Sequence, residues 1–323
     1  MYRPLCRLPG DTAVAFVHKT GMQNWIDIYF TSRDGLRLYA RHYGVPGSIR
    51  RPLVCLAGLT RNSRDFHDLA SALARPDENG RDVFAIDCRG RGRSQHDANW
   101  KNYSILVELN DVLDFMTMRG LNRAAVIGTS RGGLITMLMA ALRPNALGAV
   151  VLNDIGPVIE REGLARIVAY VGRVPLPATW AQATELVFEL NRRYFPAVPA
   201  EQWAEVARQV FNDETDLPAP SYDPNLSKAV SMMHGAMPEL WPQFAGLASL
   251  PLLAIRGANS DILSETTLES MRARHPRLET ITVRGQGHAP LLKDALTIRA
   301  IGEFLARCDG ESYAGAPRFS AVA

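Results

Sequence analysis

The chain has 323 residues, 47% of them hydrophobic and 21% charged. These are ordinary values for a folded globular protein and exclude wholesale disorder. Its 36 basic and 33 acidic residues nearly cancel, leaving a formal charge of +3, so composition gives no push towards nucleic acid or an anionic membrane. Cys6, Cys55, Cys88 and Cys308 stand far apart, with no CxxC and no Cys/His spacing that suggests zinc. Scattered single cysteines fit a reduced, cytoplasmic protein. The first twenty residues lack the apolar core of a signal peptide. Leu134–Leu142 is the longest strongly apolar stretch, far short of the roughly 20 residues that span a bilayer.

In chain order, residues 1–24 show no period and read as an N-terminal arm. The arm is a candidate for homodimer contacts, although no pattern in it demands them. Trp25–Thr31 alternates and is rich in aromatic and β-branched residues, which predicts a strand. Asp34-Gly35 is a turn signal, and Leu36–Tyr43 reads as the antiparallel partner. The pattern then changes. Leu53–Ala57, Val83–Asp87, Ala124–Gly128 and Ala149–Asn153 are short, continuously apolar runs. Such runs suit strands buried on both faces of a parallel sheet. Ser63–Ala74, Tyr103–Arg119 and Ser130–Leu142 lie between them with helical spacing. The alternation predicts an α/β sheet with right-handed crossovers.

After Asn153 the alternation stops. Trp180, Ala183, Val187, Leu190 and Tyr194 follow helical spacing, as do Trp203, Val206, Ala207 and Val210, while several prolines break the segment up. Strand–helix order resumes at Leu252–Arg256 and continues through Met271 onward, Glu279–Val283 and Asp294–Cys308. The expected organisation is a core of residues 25–156 and 246–309. A helical insertion, 157–245, follows the sixth strand, and a small, polar tail occupies 310–323.

The strongest chemical signal is Gly128-Thr129-Ser130-Arg131-Gly132-Gly133, which follows a buried strand and opens a helix. G-x-S-x-G in that context holds a serine above the sheet, at the positive end of a helix. The glycines permit a turn in which larger side chains would strike the neighbouring helix and strand. A serine hydroxyl needs a base within hydrogen-bond reach and a third group to orient that base. Among seven histidines, His288 stands in a Gly-flanked loop just after the last strand, where α/β sites are built. Two acids compete for the orienting role. Asp261 follows a buried strand, lies 27 residues before His288 and keeps the order Ser, Asp, His; it is the preferred candidate. Asp154 ends the preceding strand and reads as an anchor or cap for the insertion. Acyl transfer also requires donors for the developing oxyanion. The backbone N–H of Arg131 and that of Leu59, in the loop Ala57–Asn62, are the candidates.

The chain resembles the α/β-hydrolase superfamily, in the branch with a helical cap after strand six. The match runs through the Ala57-Gly58 loop, the turn Asp87-Cys88-Arg89-Gly90-Arg91-Gly92-Arg93-Ser94, the elbow around Ser130, Asp261 and His288. The resemblance implies an α/β-hydrolase fold, a mostly parallel twisted sheet with helices on both faces. It also implies a Ser-His-Asp triad, an oxyanion hole, and no metal or organic cofactor. It makes the basic run Arg89–Arg93 a structural turn rather than a phosphate or nucleic-acid patch. Two departures stand out. Many relatives carry His-Gly where this chain has Ala57-Gly58, and a smaller or apolar residue where it has Arg131. The arginine is expected to pack against an acid of the core or cap, with a place facing the pocket as the alternative.

The insertion supplies Tyr170, Trp180, Trp203, Phe211, Met232, Met233, Met237, Trp241 and Phe244. Most pack the insertion on itself; an aromatic and methionine roof over Ser130 would suit apolar groups. Trp180, Met233, His234 and Met237 are the candidate pocket residues. Arg161, Arg166 and Arg173 read as solvated helix faces, with a carboxylate clamp as the alternative. The expected partner is a small ester or lactone. The expected activity is carboxylesterase chemistry on small to medium apolar esters through an acyl-enzyme. A hydrolase of enol-lactones or C–C bonds, whose substrates carry carboxylates, is the alternative, with an acyltransferase or a non-catalytic ligand sensor behind it.

Overall fold

The computed structural model describes residues 24–75, 80–212, 216–231 and 238–312, with side chains described as far as Gly310. The N-terminal arm falls outside these residues apart from Asn24. Met232, Met233, His234 and Met237 also lie outside them.

The chain opens with an antiparallel pair, β1 (Ile26–Thr31) and β2 (Arg37–Tyr43), joined through Gly35 at φ +88°. Then come β3 (Leu53–Leu56), α1 (His67–Leu73), β4 (Val83–Asp87), α2 (Ile105–Met118), β5 (Ala124–Thr129), α3 (Arg131–Leu142) and β6 (Leu147–Asn153). The strands β3, β4 and β6 are buried at every residue, as their unbroken apolar runs require. The insertion contains α4 (Arg161–Tyr170), α5 (Trp180–Asn191), α6 (Trp203–Val210), a two-stranded ribbon of β7 (Phe211–Asn212) and β8 (Ala219–Pro220), α7 (Leu226–Ser231) and α8 (Trp241–Ala245). The chain returns to the sheet with β9 (Leu252–Gly257), α9 (Glu265–Arg274), β10 (Leu278–Val283) and α10 (Ala295–Ser312). Thus α10 runs three residues, Gly310 to Ser312, into the tail expected from Gly310.

The eight-stranded sheet has the order β1-β2-β4-β3-β5-β6-β9-β10. Pairs β1/β2 and β2/β4 are antiparallel, and the rest are parallel. From β3 the chain moves outward to β4, then returns to β5 on the other side of β3. This reversal opens a crevice beyond the carboxyl ends of β3 and β5, where ligands settle in open α/β sheets. Residues pointing alternately from each strand build two cores. Val54 and Leu56 join Leu109 and Phe115 of α2, Ile135 of α3 and Met271 of α9 on one face. On the other face Leu53 and Cys55 join Leu69 of α1 with Ile301 and Phe304 of α10. Truncating a fully buried anchor such as Phe115 to alanine costs about 3–5 kcal/mol.

The insertion has its own small core. Ala183 and Val187 of α5 meet Trp203, Val206 and Ala207 of α6, in keeping with their helical spacing. The ribbon β7/β8 is not foreseen by that spacing. It leads into a strap that lies on the turn after β4: the Gly92 N–H donates to Ser221 O (2.7 Å) and the Asp223 N–H to Gly90 O (2.8 Å). Among the described residues, no helix is long and apolar enough to cross a membrane.

Candidate active site

Ser130 sits between β5 and α3 at φ +52° and ψ −115°, a backbone state that costs on the order of 1–3 kcal/mol for a residue with a side chain. Close packing holds it there. A Cβ on Gly128 would come 2.5 Å from the backbone of Gly132 and Gly133, and one on Gly132 would come 2.2 Å from Leu56 O. The Ser130 N–H donates to Asn153 O at 3.0 Å, which ties the elbow to the end of β6.

His288, in the loop after β10, lies with Nε2 2.8 Å from Ser130 Oγ and Nδ1 2.8 Å from Asp154 Oδ2. A carboxylate only accepts, so Nδ1–H donates to Asp154 and Nε2 is left to accept from the serine hydroxyl. The side chains of His288 and Asp154 are 7% and 0% exposed, so water does not compete for these bonds. Asp154 is fixed by two further donors: the Gly257 N–H to Oδ1 (2.7 Å) and Ser260 Oγ to Oδ2 (2.6 Å).

The expectation for Asp261 is therefore corrected: Asp154, at the end of the neighbouring strand, is the acid against His288. The loop after β9 offers Asp154 a backbone N–H and a serine hydroxyl, and it turns Asp261 the other way. Asp261 takes Nε and Nη2 of Arg166 at 2.6 and 2.8 Å. Burial pushes its carboxyl up, but the hydrogen bond and charge of Arg166 outweigh this and hold it below the usual carboxylate range.

Arg131 follows Ser130 and its guanidinium is buried away from the cavity. Nε meets Glu108 Oε2 at 2.6 Å and Nη2 donates to Tyr103 O at 3.0 Å. The arginine thus packs against a core acid, as its position in the elbow suggested. Its N–H belongs to the first turn of α3 and has no acceptor within the helix. Leu59 borders the same cavity, and its carbonyl is held by Arg91 Nε at 2.9 Å. Leu59 and Ser130, the residue before Arg131, both border the cavity. At Gly58, a Cβ would lie 3.5 Å from Arg61 Cγ and 3.7 Å from Ser130 Cβ. These are ordinary contacts, so packing alone does not demand glycine there.

The basic run after β4 is structural. Arg89 binds Asp111 through Nε and Nη2 at 2.8 and 2.7 Å, and also reaches Asp34 and Asp97. Arg91 binds Glu108 Oε1 at 2.7 Å. Both arginines are buried. Asp87 closes the turn by accepting from the Ser63 and Arg93 N–H groups at 2.6 and 2.8 Å.

A cavity of about 540 Å³ opens over Ser130 and His288. Leu59 and Asn153 line its floor; Tyr170, Leu186, Trp203, Phe211 and Tyr222 line its roof. Of the expected pocket residues, Trp180 is not among the lining. Its indole donates to Asp216 O at 2.9 Å, and the Arg208 guanidinium lies 4.4 Å above its ring, so it is spent on holding the insertion together. Met233, His234 and Met237 fall outside the described residues. Arg61 and Arg166 do line the cavity, which corrects the solvated-face expectation for Arg166. Arg61 pairs with Asp65 four residues on, a local spacing that sequence could have flagged, whereas the partner of Arg166 lies 95 residues away at Asp261 and left no such signal. Glu108 shares its helix face with Asp111, one turn on, and both are buried. Among the described residues no cluster of His, Cys, Asp or Glu has the grouping to hold a metal ion.

A family model of the alpha/beta hydrolase fold matches residues 51–295. The chain belongs to that family. A 3-hydroxybutyrate-oligomer hydrolase from Cupriavidus necator is 30% identical over 286 residues, covering 84% of this chain and 94% of the relative. Esterase YbfF of Escherichia coli is 26% identical over 270 residues, covering 79% and 92% of the two chains. The crystal structure of an alpha/beta hydrolase from Novosphingobium aromaticivorans superposes with a TM-score of 0.82 at 40% identity, covering 89% of this chain and 100% of the other. The protein is accordingly a hydrolase with esterase-like relatives.

Proposed function

We propose that the protein is a serine hydrolase of carboxylic esters, with Ser130 as nucleophile, His288 as general base and acid, and Asp154 as the acid that orients His288. The observation that carries this reading is the unbroken chain of hydrogen bonds from Ser130 Oγ through His288 to Asp154. Ser130 Oγ attacks the ester carbonyl as its proton passes to Nε2. The imidazolium is stabilised by Asp154, which already accepts from Nδ1. The N–H groups of Leu59 and Arg131 take the oxyanion. Each good donor in such a site is worth about 3–4 kcal/mol in the transition state. His288 then protonates the leaving alcohol, water attacks the acyl-enzyme with His288 as base, and acid and serine are released.

Residues 157–245 act in this reading as a cap. Its aromatic and aliphatic side chains exclude water and favour short, mainly apolar ester chains, consistent with the cavity volume of about 540 Å³. The relative that hydrolyses 3-hydroxybutyrate oligomers supports an ester of this size.

The test is steady-state hydrolysis of p-nitrophenyl acetate, butanoate and octanoate, with Ser130→Ala assayed alongside. Turnover greatest for the short chains and abolished in the variant is expected. A folded wild type without turnover, or a variant that retains it, overturns the proposal.

A further inference from the structure

The cavity wall above Ser130 is mainly apolar, yet two arginines border it. Arg166 comes from α4 and Arg61 from the loop after β3. Each is gripped from one side in the same way. Nε and Nη2 of Arg166 meet the two oxygens of Asp261 at 2.6 and 2.8 Å. Nε and Nη2 of Arg61 meet those of Asp65 at 2.8 and 2.5 Å. A guanidinium has five N–H donors, and this side-on grip uses two of them. The end edge, Nη1 with the second hydrogen of Nη2, keeps the parallel geometry that accepts a carboxylate through two bonds. The paired acid fixes the plane of the guanidinium, so little further ordering is needed on binding.

The two arginines border the same cavity as the serine. Both guanidinium charges act on the Tyr170 hydroxyl, which lines the cavity. The Arg61 stem and Ser130 flank the same side of Gly58, at 3.5 and 3.7 Å from the position of a Cβ there. Arg166 also packs over the ring of Tyr194 at 4.8 Å, while its partner Asp261 does not border the cavity. Arg166 therefore stands between its acid and the open space. An ion pair that only fastened the insertion to the core would gain nothing from this exposure to an apolar cavity. A half-buried cation at the edge of an apolar wall is where the charged end of an otherwise apolar substrate is best placed.

We infer that the substrate is an ester bearing a carboxylate a few bonds from the scissile carbonyl, seated on the end edge of Arg166 with Arg61 beside it. This rests on the serine-esterase reading and narrows it from apolar esters to anionic ones, the free-acid end of a short hydroxyacid ester being the simplest member. Arg166 and Arg61 act here in recognition, so their effect falls on KM for the anionic substrate.

The test compares the dimer of 3-hydroxybutyrate with its terminal amide, which has the same shape and no charge. Release of 3-hydroxybutyrate is followed for the wild type, Arg166→Met, Arg166→Lys and Ser130→Ala. The wild type is expected to favour the free acid in kcat/KM by about tenfold or more, the worth of one charge-assisted hydrogen bond. Arg166→Met should erase that preference by raising KM for the acid much more than for the amide. Arg166→Lys should restore part of it, since charge is kept and the fork is lost. Equal wild-type rates on acid and amide overturn the inference, and that comparison needs no variant to fold. So does an Arg166→Met loss that is equal for both. In either case p-nitrophenyl ester turnover that depends on Ser130 leaves the esterase reading standing. Absence of that turnover removes both.

Discussion

Glu108 gives one carboxylate oxygen to Arg131, at 2.6 Å from Nε, and the other to Arg91, at 2.7 Å from Nη1. Arg131 is the residue after Ser130, and Arg91 holds the Leu59 carbonyl. One wholly buried acid thus ties together the two loops that supply the candidate oxyanion donors. Burial pushes the Glu108 carboxyl up, but the two guanidiniums outweigh it and leave it below its ordinary range. Removing one member of a buried charge cluster strands the others without solvent. Glu108→Ala is expected to lose about 3–5 kcal/mol in urea unfolding. The milder Glu108→Gln, where it stays folded, should lower kcat for esters with little change in KM, because both donors lose their support without loss of the cavity.

Asp154 and Asp261 can be separated by matched substitutions. Asp154→Asn removes the acceptor that selects the Nδ1–H tautomer of His288 and is expected to lower kcat by about 10³–10⁴-fold. Asp261→Asn leaves the hydrogen bonds of His288 in place and should change kcat on p-nitrophenyl butanoate by less than about tenfold. A larger loss for Asp261→Asn would return the orienting role to that residue.

Much of the architecture was legible because its signals are local. Continuous apolar runs marked the parallel strands, and the Gly128–Gly133 turn marked the elbow between strand and helix. The acid was not legible, because both candidates end or follow buried strands at the sheet edge. What separates them is the direction of one loop. Asp154 turns at φ +55° and is met by Gly257 and Ser260, while Asp261 is drawn off by Arg166, whose position depends on the packing of α4. The ribbon β7/β8 was hidden for a similar reason. Its two strands are two residues each, too short for alternation to register, and Ser221–Asp223, just beyond it, is held to the core by backbone bonds to Gly90 and Gly92 and by the Tyr103 hydroxyl donating to Asp223, contacts far apart in sequence.

Acid should weaken the ion pair between Arg89 and Asp34. The Asp34 carboxyl is pulled down to about 2, first by its hydrogen bond from Arg89. A carboxyl whose value is lower in the folded state than in the unfolded one stabilises the fold above the unfolded value, about 3.9, and loses that contribution as pH falls towards 2. Its side chain is 40% exposed, so solvent screening keeps the effect small. In thermal unfolding, wild type should exceed Asp34→Asn in stability at pH 6, and the difference should shrink steadily between about pH 4 and pH 2.5. A difference that grows on acidification would reverse the sign assigned to Asp34.

The same substitution at two glycines should have opposite consequences. At Gly132 an added Cβ would meet Leu56 O at 2.2 Å and Leu56 Cβ at 2.8 Å. Helix α3 would have to lift from β3, and neither backbone can yield without breaking the central packing. Overpacking of a core commonly costs about 1–3 kcal/mol, and a backbone-on-backbone collision belongs at or beyond the upper end, so Gly132→Ala is expected to unfold early in urea or to be recovered insoluble. At Gly58 the added Cβ finds only ordinary contacts with Arg61 and Ser130, at 3.5 and 3.7 Å. Gly58→Ala should fold with a urea midpoint near that of the wild type. Its methyl group would nonetheless stand beside Ser130, in the space through which an ester carbonyl reaches Leu59 and Arg131. Ester turnover should therefore fall well before stability does, and a Gly58→Ala protein with unchanged kcat/KM would show that the carbonyl approaches Ser130 by another route.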